Sequence, residues 1–233
     1  MSNLDTNSNK KLLMSVENIA VSYNQNRSIL KKRTLNVLKD VSFEIYSGNT
    51  IGVLGKNGAG KSTLMKVLAN IIKPNKGTVR NFGASVSLLS LSNGFDKELT
   101  GRQNVYLSGL LMGFKKQDIS NKIESIISFS ELGNYIDVPL RTYSSGMRSR
   151  LGFAIANSLT TDILLVDETL SVGDKDFKRK SSVVMQEKIK SQQTVVLVSH
   201  NESIIKELCT HALVVENGNS KFFGEVEEAI NHL

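Results

Sequence analysis

Residues 55–63 read GKNGAGKST, a glycine-rich run that ends in a lysine and two hydroxyl side chains. Glycines allow backbone N–H groups to curl around phosphate oxygens, because no Cβ obstructs the approach. Lys61 would bring a full positive charge to the β- and γ-phosphates, and the Ser62 hydroxyl would bind Mg²⁺. The spacing matches the P-loop pattern of nucleotide-binding proteins. We therefore expect ligand contacts from Gly55, Asn57, Gly58, Gly60, Lys61, Ser62 and Thr63.

Three further residues suited to phosphate chemistry follow apolar runs. The run ILLV (163–166) precedes Asp167, a candidate Mg²⁺ ligand, and Glu168, which could polarise an attacking water. His200 follows the run TVVLVS (194–199). Ligands bind at the carboxyl ends of strands in α/β sheets, so the positions of all three residues suit catalysis. Polar residues at strand ends are often only solvated, and it is the P-loop upstream that favours catalysis here.

The elements that must position these residues alternate along the chain. TIGVLG (50–55), ILLVD (163–167) and TVVLVSH (194–200) are short apolar runs typical of buried strands. After the P-loop, apolar residues recur at the spacing of one helix face, at Leu64, Val67, Leu68 and Ile71. Strands and helices in alternation predict an α/β fold with helices on the faces of a parallel sheet.

The middle of the chain, about 101–159, has helical patterning and little strand signal. One apolar helix face there contains Ile119, Ile123, Ile126 and Ile127, and Asp118 is the candidate N-cap. A helical insertion in the α/β core is the natural interpretation. Near the end of the chain, LVVENGNSKFF (213–223) predicts a β-hairpin around Asn217 and Gly218.

Composition limits the class of protein. The 233 residues suit one mid-sized domain, and no apolar run approaches the ~20 residues that span a bilayer. The N-terminus lacks the apolar stretch of a signal peptide, and the single cysteine, Cys209, fits a reducing cytoplasm. The formal net charge is +7, but the basic clusters are short and have no interleaved aromatic residues. We therefore expect no nucleic-acid partner.

Several motifs together resemble those of ATP-binding cassette (ABC) ATPases. YSSGM (143–147) is similar to that family's signature motif, usually written LSGGQ. ENIAVSY (17–23) resembles its opening strand, and LSVGD (170–174) resembles its D-loop. The P-loop, the signature, the strand ending in Asp-Glu and the strand ending in His follow one another in the family's order. The resemblance covers essentially the whole chain, from Val16 to about Phe223.

The resemblance implies a particular architecture within the α/β class. It is a P-loop NTPase (RecA-like) core with an antiparallel β part and an inserted α-helical subdomain. Residues 1–233 would then form a single ATP-binding cassette domain. Its core would lie at about 14–90 and 160–233, and its α-helical subdomain at about 91–159.

The resemblance also implies ATP and Mg²⁺ as ligands and a head-to-tail homodimer. Each ATP would be held between the P-loop of one subunit and the signature of the other. Ser144, Ser145 and Gly146 would then face the γ-phosphate from a helix N-terminus. Tyr23 would stack on the adenine ring. Glu168 and His200 would be the catalytic residues, and Ser62 and Asp167 the metal ligands.

Three sequence segments narrow the resemblance to one branch of the family. ELTGRQN (98–104), FSELG (129–133) and SVGDKDF (171–177) resemble ATPase subunits that export O-antigen, capsular polysaccharide or teichoic acid. This branch implies an ATPase that drives export of a lipid-linked polysaccharide through a separate polytopic membrane permease in a 2+2 assembly. It also implies a peripheral location at the cytoplasmic face of the plasma membrane, and only indirect contact with the polymer.

The chain departs from the family pattern at three positions. The glutamine that usually follows the strand VSLLS (86–90) is missing, and Ser90 lies at about its place. Ser145 replaces a glycine of the signature, and Met147 replaces its polar last residue. Some exporters of this branch carry a sugar-binding domain after the ATPase, and we expect none here, because the chain stops at Leu233.

Other functions stay open at this point. One is the ATPase of another ABC exporter, and another is a soluble ABC-type ATPase that acts in translation or DNA repair. The soluble type usually needs two cassettes or a long coiled-coil insertion, and 233 residues hold neither. A small P-loop kinase, or a nucleotide-binding scaffold without turnover, is a third possibility. Glu168 and the signature argue against it.

Overall fold

The computed structural model describes residues 10–26, 32–89, 94–167, 174–199 and 201–233. The chain divides into two compact units, one formed by Met1–Ala84 with Ile189–Leu233 and the other by Ser85–Lys188. No helix in the described part of the chain is long and apolar enough to cross a membrane.

The first unit contains a mixed sheet with parallel and antiparallel parts. Its strands are β1 (Leu12–Asn26), β2 (Lys32–Tyr46), β3 (Thr50–Leu54), β4 (Lys76–Asn81), β7 (Thr194–Val198), β8 (His211–Glu216) and β9 (Asn219–Glu225). They lie in the order β4-β1-β2-β9-β8-β3-β7. β1 pairs antiparallel with β2 and β4, whereas β3 pairs parallel with β7 and β8. The α/β class with an antiparallel β part is therefore confirmed.

The parallel part supports the P-loop. Every residue of β3 and β7 is buried, which explains why both strands read as uninterrupted apolar runs in the sequence. The helices of this unit are α1 (Lys61–Leu68), α6 (Glu202–Leu208) and α7 (Val226–Ile230). α6 packs on β3 at Gly52, where an added Cβ would lie 2.6 Å from Ile205 Cγ2.

The helix after the P-loop is shorter than its sequence pattern predicts. Leu64, Val67 and Leu68 are buried as expected, but Ile71 lies beyond the helix and is 59% exposed. α1 ends at Leu68, and Asn70 takes a left-handed conformation with φ 55°. Asparagine adopts that conformation more easily than most residues, so the helix stops one turn early. The prediction that Ile71 belongs to the helix face was wrong.

The hairpin near the end of the chain is confirmed. β8 pairs antiparallel with β9, and Asn217 and Gly218 form the connection with φ of 50° and 84°. Two consecutive positive φ angles are what a tight hairpin turn requires, and Asn-Gly meets that requirement.

The second unit combines two parallel strands with a helical cluster. Its elements are β5 (Val86–Leu89), α2 (Gly101–Leu111), α3 (Lys116–Ser130), α4 (Ser145–Ser158), β6 (Ile163–Val166) and α5 (Lys175–Lys190), with 3₁₀ turns at Gly133–Asp137 and Leu140–Thr142. β5 pairs parallel with β6, from Val86 opposite Ile163 onward. α2 begins with a capping box between Thr100 and Gln103. The predicted helical character of residues 101–159 is thus confirmed.

The apolar face predicted for α3 is present, but its cap is not where the sequence suggested. Ile119, Ile123 and Ile126 are buried and Ile127 is half-buried. The N-cap is Lys115, whose side chain makes no capping hydrogen bond. Asp118 instead lies in the first turn, where a negative charge favours the helix dipole. The assignment of Asp118 as N-cap was wrong.

Candidate functional site

The P-loop occupies the turn between β3 and α1. Gly55 and Gly60 have φ of 147° and 105°, in the region that favours glycine. A Cβ at Gly55 would overlap the carbonyl oxygen of Val215, and one at Gly60 would lie 2.6 Å from Leu38 Cδ2. The backbone of this loop therefore requires glycine at both positions.

Lys61 lies at the mouth of this loop. It is only 6% exposed, and its Nζ donates to the carbonyl oxygens of Gly55 at 2.6 Å and Lys56 at 3.1 Å. A lysine is seldom buried to this extent unless its charge is used. The ammonium group is thus held beside the loop amides, where a phosphate group would meet both.

The start of α1 adds to the attraction for an anion. Residues 61–64 include no acidic side chain, so nothing of opposite sign offsets the positive end of the helix dipole. Ser62 is exposed and Thr63 is half-buried in this first turn. The glycines, the buried cation and the helix N-terminus fit a polyphosphate better than any neutral ligand.

A cavity of about 250 Å³ borders the first residues of the P-loop. It is lined by Gly55, Lys56, Asn57, Gly58, Ala59, Val214, Val215, Glu216, Asn217, His232 and Leu233. Three of the predicted contact residues therefore line it, whereas Lys61, Ser62 and Tyr23 do not.

Tyr23 lies on β1 in the same unit, opposite Leu35 of β2. The two side chains are 38% and 48% exposed, which is unusual for large apolar groups on paired strands. They offer a flat apolar surface on which a planar ring could stack. This arrangement suits the predicted adenine contact without testing it.

The second unit holds Asp167 and the signature. Asp167 follows β6 directly and is half-buried. Glu168, His200 and Ser90 lie outside the described residues, as do the first four residues of the motif at 170–174. Their predicted roles stay predictions.

The signature forms the start of α4. Ser144 is its N-cap, and the Ser144 Oγ accepts from the amide of Met147 at 3.1 Å. Ser144 and Ser145 are exposed. A Cβ at Gly146 would meet only Ser144 Oγ, at 3.7 Å, so packing within the chain does not demand glycine there. The helix N-terminus is accessible to an anion brought to it by another molecule.

The segment before the signature is fixed by a buried tyrosine. The Tyr143 hydroxyl donates to the carbonyl oxygen of Tyr135 at 2.5 Å, and burial raises the pKa of Tyr143 to about 12. Arg148 Nη1 donates to the carbonyl oxygen of Tyr143 at 2.6 Å. These contacts hold the residue that leads into Ser144 in one position.

A half-buried lysine lies at the other end of α4. Lys188 of α5 donates to the carbonyl oxygens of Ala156 at 3.2 Å and Asn157 at 2.8 Å, and burial lowers its pKa to about 8. Lysine near a helix C-terminus interacts well with the exposed carbonyls. The low pKa nevertheless shows that desolvation of the charge outweighs this attraction.

The free energy of unfolding should therefore depend on pH through Lys188. The unfolded chain keeps this lysine protonated up to about pH 10.4, whereas the folded chain releases the proton near pH 8. Between these values the unfolded state binds more protons, so stability rises with pH. Relative to Lys188→Met, the wild type should gain about 2–3 kcal/mol from pH 7 to pH 10 in denaturant titrations. A difference between the two proteins that stays constant with pH would contradict the assignment.

Sequence reasoning missed one group of charged residues in the second unit. Arg150 of α4 lies against Asp174 and Glu131, and Glu131 also pairs with Lys180. The only sequence signal is that Asp174 ends the motif 170–174. An arginine on a helix is ordinarily solvated, so its position alone indicates nothing.

Comparison with known proteins adds independent information. A family model described as ABC transporter matches residues 38–171. The O-antigen export system ATP-binding protein RfbB of Klebsiella pneumoniae is 41% identical over 202 residues, which are 87% of this chain and 82% of that protein. The teichoic acids export ATP-binding protein TagH of Staphylococcus epidermidis is 40% identical over 200 residues, 86% of this chain and 75% of that protein.

A solved structure agrees in fold. A dimeric ATP-binding cassette in a post-hydrolysis state, bound to ADP and phosphate, superposes on this chain with a TM-score of 0.73. The sequences are 17% identical, and the match covers 92% of this chain and 99% of that one.

Proposed function

Because the chain belongs to the ABC transporter family, we propose that it is the ATP-hydrolysing subunit of an exporter whose membrane path is formed by a separate permease. The observation that carries the proposal is the P-loop itself. The backbone conformation and close neighbours at Gly55 and Gly60 require glycine, and Lys61 is buried beside them. A buried, positioned cation next to a glycine-rich loop and a helix N-terminus suits the triphosphate of ATP.

The proposed cargo is a lipid-linked polysaccharide, such as O-antigen, capsular polysaccharide or teichoic acid. Relatives named for O-antigen export and for teichoic acids export match more than four fifths of this chain at 40–41% identity. The sequence segments at 98–104 and 129–133 support the same branch of polysaccharide exporters. Export of another substrate by an ABC transporter is the alternative, and a soluble role in translation or DNA repair has no supporting observation here.

Each site residue has a proposed role in ATP hydrolysis. Lys61 binds the β- and γ-phosphates, and Ser62 and Asp167 supply oxygen ligands, the type that Mg²⁺ prefers. Mg²⁺, when bound, would offset the charge that develops on the phosphates. Glu168 accepts a proton from the attacking water, and His200 contacts the γ-phosphate. Tyr23 stacks on the adenine ring.

The signature is proposed to act on the ATP of a second copy. Ser144, Ser145 and Gly146 present a helix N-terminus that the chain does not cover with its own packing near Gly146. A head-to-tail homodimer would bring it to the γ-phosphate at the P-loop of the partner. The solved cassette with ADP and phosphate is dimeric, which agrees with this arrangement in a protein of the same fold.

Three measurements test the proposal together. The purified chain should hydrolyse ATP only with Mg²⁺, and it should co-purify from membranes with a polytopic permease at the cytoplasmic face. Loss of the gene should remove a surface polysaccharide, and a plasmid carrying the wild type should restore it. If the chain hydrolyses ATP but its loss leaves every surface polysaccharide unchanged, the proposed cargo is refuted and the proposed ATPase activity is not. Absence of Mg²⁺-dependent hydrolysis in the isolated chain and in the permease complex would refute both.

Coupling to the permease is expected to use the apolar stretch at residues 92–116, of which the structure describes 94–116. Phe95 and Phe114 are half-buried and pack against the helical cluster, whereas Leu110 and Leu111 are 52% and 70% exposed. Exposed apolar residues beside aromatic ones are typical of a docking surface. We expect Phe95→Ala or Phe114→Ala to lose export and permease binding while ATP binding persists, as measured by co-purification and titration.

Two further variants sharpen this test. Leu111→Ser removes exposed apolar surface without disturbing packing, and should weaken permease binding in the same way. Val183→Ser is the control, because Val183 is 49% exposed on α5 of the same unit and lies outside this stretch. If all of these variants bind the permease normally and support export, the docking surface lies elsewhere.

A further inference from the structure

A surface turn of the first unit has three lysines around an exposed isoleucine. Lys66 lies in the last turn of α1, Lys73 follows that helix, and Lys76 is the first residue of β4. All three lysines are exposed. Ile71 lies between them in the chain and is 59% exposed. We name these four residues the basic turn.

The first half of the basic turn is closed by backbone hydrogen bonds. The carbonyl oxygen of Lys66 accepts from the amide of Ile71 at 2.9 Å and from the amide of Ile72 at 3.2 Å. Consecutive Cα atoms are about 3.8 Å apart, so the Cα of Lys73 lies within about 11 Å of the Cα of Lys66. The charges on both sides of Ile71 therefore belong to one small area of the surface.

The second half of the basic turn is fastened to β1. The amide of Asn75 donates to the carbonyl oxygen of Ala20 at 2.7 Å, and Asn75 Oδ1 accepts from the amide of Ser22 at 2.6 Å. Lys76 then lies opposite Ala20 in the pairing of β4 with β1. Since both halves of the turn are hydrogen-bonded, a fixed backbone holds the apolar side chain of Ile71 in the solvent.

The charge of the three lysines is not balanced within the described part of the chain. Residues 45–95 contain five lysines and one arginine but no aspartate or glutamate. On the neighbouring strand β1, Glu17 already pairs with Arg80 at 3.7 Å. The three lysines form no ion pair with any residue that the structure describes. The basic turn therefore presents a net positive charge to the solvent.

The residue types of the basic turn discriminate between classes of partner. Protein interfaces are depleted in lysine and enriched in aromatic residues, and residues 66–76 contain no aromatic residue. The same absence argues against single-stranded nucleic acid, which stacks its bases on aromatic side chains. An anionic lipid surface attracts lysines without demanding a particular geometry, and an apolar side chain among the lysines can enter the headgroup region.

We propose that the basic turn binds the anionic phospholipid headgroups of a bilayer, with Ile71 inserted among them. The attraction extends over about one Debye length, about 8 Å at physiological ionic strength, so it acts only where this turn lies against the bilayer. The binding uses neither ATP nor a permease. It would hold the chain at a membrane in addition to any contact with the permease at residues 92–116.

Flotation of the purified full chain with lipid vesicles tests the proposal. The chain should bind vesicles of phosphatidylglycerol mixed with phosphatidylcholine, and it should not bind vesicles of phosphatidylcholine alone. Each of Lys66→Gln, Lys73→Gln and Lys76→Gln should lower the partition coefficient by about fivefold, and the triple variant should lower it by about a hundredfold. An increase in salt from about 0.1 M to about 1 M should release most of the bound chain, because the Debye length falls from about 10 Å to about 3 Å.

The apolar part of the binding is tested separately. Ile71→Ser should weaken binding to the anionic vesicles by about tenfold, because it removes an apolar side chain that the headgroup region would bury. The binding that remains should depend on salt as in the wild type, since the lysines are unchanged. Val183→Ser is the matched control, because Val183 is 49% exposed on α5, and it should bind like the wild type.

A second triple variant separates the basic turn from net charge. Lys122→Gln, Lys178→Gln and Arg179→Gln together remove three positive charges from exposed residues of α3 and α5. This control should bind anionic vesicles within about twofold of the wild type, because only charges within about a Debye length of the bilayer contribute. If both triple variants lose binding equally, net charge alone drives it and the proposal is overturned.

Two further results would overturn the proposal. One is equal binding of the wild type to neutral and anionic vesicles, and the other is wild-type binding in the triple variant of the basic turn. If that variant binds vesicles normally but no longer co-purifies with the permease, the partner of the turn is the permease and not lipid. If the triple variant does not fold, the three single variants decide the question.

The outcome is independent of the proposed function. The triple variant of the basic turn should hydrolyse ATP at the wild-type rate in the absence of vesicles, since none of its lysines belongs to the proposed ATP site. A wild type that binds anionic vesicles but does not hydrolyse ATP would refute the proposed function alone. A wild type that hydrolyses ATP but does not bind anionic vesicles would refute this inference alone.

Discussion

Replacement of Glu168 by glutamine is expected to lower the rate of ATP hydrolysis by about 10²–10⁴-fold while ATP binding persists. Glutamine keeps the size of the side chain and its hydrogen-bonding oxygen, but it cannot take a proton from the attacking water. ATP should then remain between two copies, because the step that releases it is blocked. The variant should accumulate as an ATP-bound dimer, which size-exclusion chromatography with ATP and Mg²⁺ would detect.

A control for this experiment is Glu207→Gln. Glu207 is an exposed residue of α6 that makes a long ion pair of 3.7 Å with Lys190, so the loss of its charge should change neither the hydrolysis rate nor dimerisation. Near-normal hydrolysis in Glu168→Gln would remove Glu168 from the role of general base. If Glu168→Gln hydrolyses ATP slowly but stays monomeric with ATP, Glu168 remains the proposed general base and the result counts against the head-to-tail dimer.

The strands and the P-loop were predictable because local sequence determines them. β3, β6 and β7 are buried along their whole length, so each reads as an unbroken apolar run. The P-loop needs glycine for backbone reasons that are visible at Gly55 and Gly60. In each of these cases the residue types and the conformation depend on the same few neighbours in the chain.

The two wrong predictions, for Ile71 and Asp118, concern the residue at which a helix ends or begins. Ile71 has the spacing of the α1 face, but the left-handed Asn70 ends the helix before it. Asp118 has the side chain of an N-cap, yet α3 starts three residues earlier. Neither outcome follows from periodicity, since several nearby starts and ends satisfy the same pattern.

The tertiary arrangement was not accessible to sequence reasoning. The sheet places β9 beside β2, with Asp40 opposite Asn219, although the two strands are far apart in the chain. Arg150 meets Asp174 because α4 and α5 pack together, with the rings of Phe153 and Phe177 6.0 Å apart. Contacts of this kind depend on the packing of whole elements, which a single sequence does not display.

Replacement of Lys61 by alanine is expected to weaken ATP binding by about tenfold to a hundredfold. Hydrogen bonds that involve a charged group contribute about 1.5–3 kcal/mol, and each 1.4 kcal/mol corresponds to a factor of ten in affinity. Lys61 is 6% exposed and bonded to two loop carbonyls, so its ammonium group is already in place before a phosphate arrives. Equilibrium titration with ATP and Mg²⁺ measures the loss directly.

The control for this variant lies on the same helix. Lys66 belongs to the last turn of α1 and is exposed, so Lys66→Ala removes a lysine of equal charge from α1 without touching the loop. It should bind ATP like the wild type. ATP should also raise the melting temperature of the wild type and of Lys66→Ala, because a ligand stabilises the state that binds it, and should do so far less in Lys61→Ala. If Lys61→Ala binds ATP with wild-type affinity, the P-loop does not hold the phosphates in the way that its buried lysine indicates.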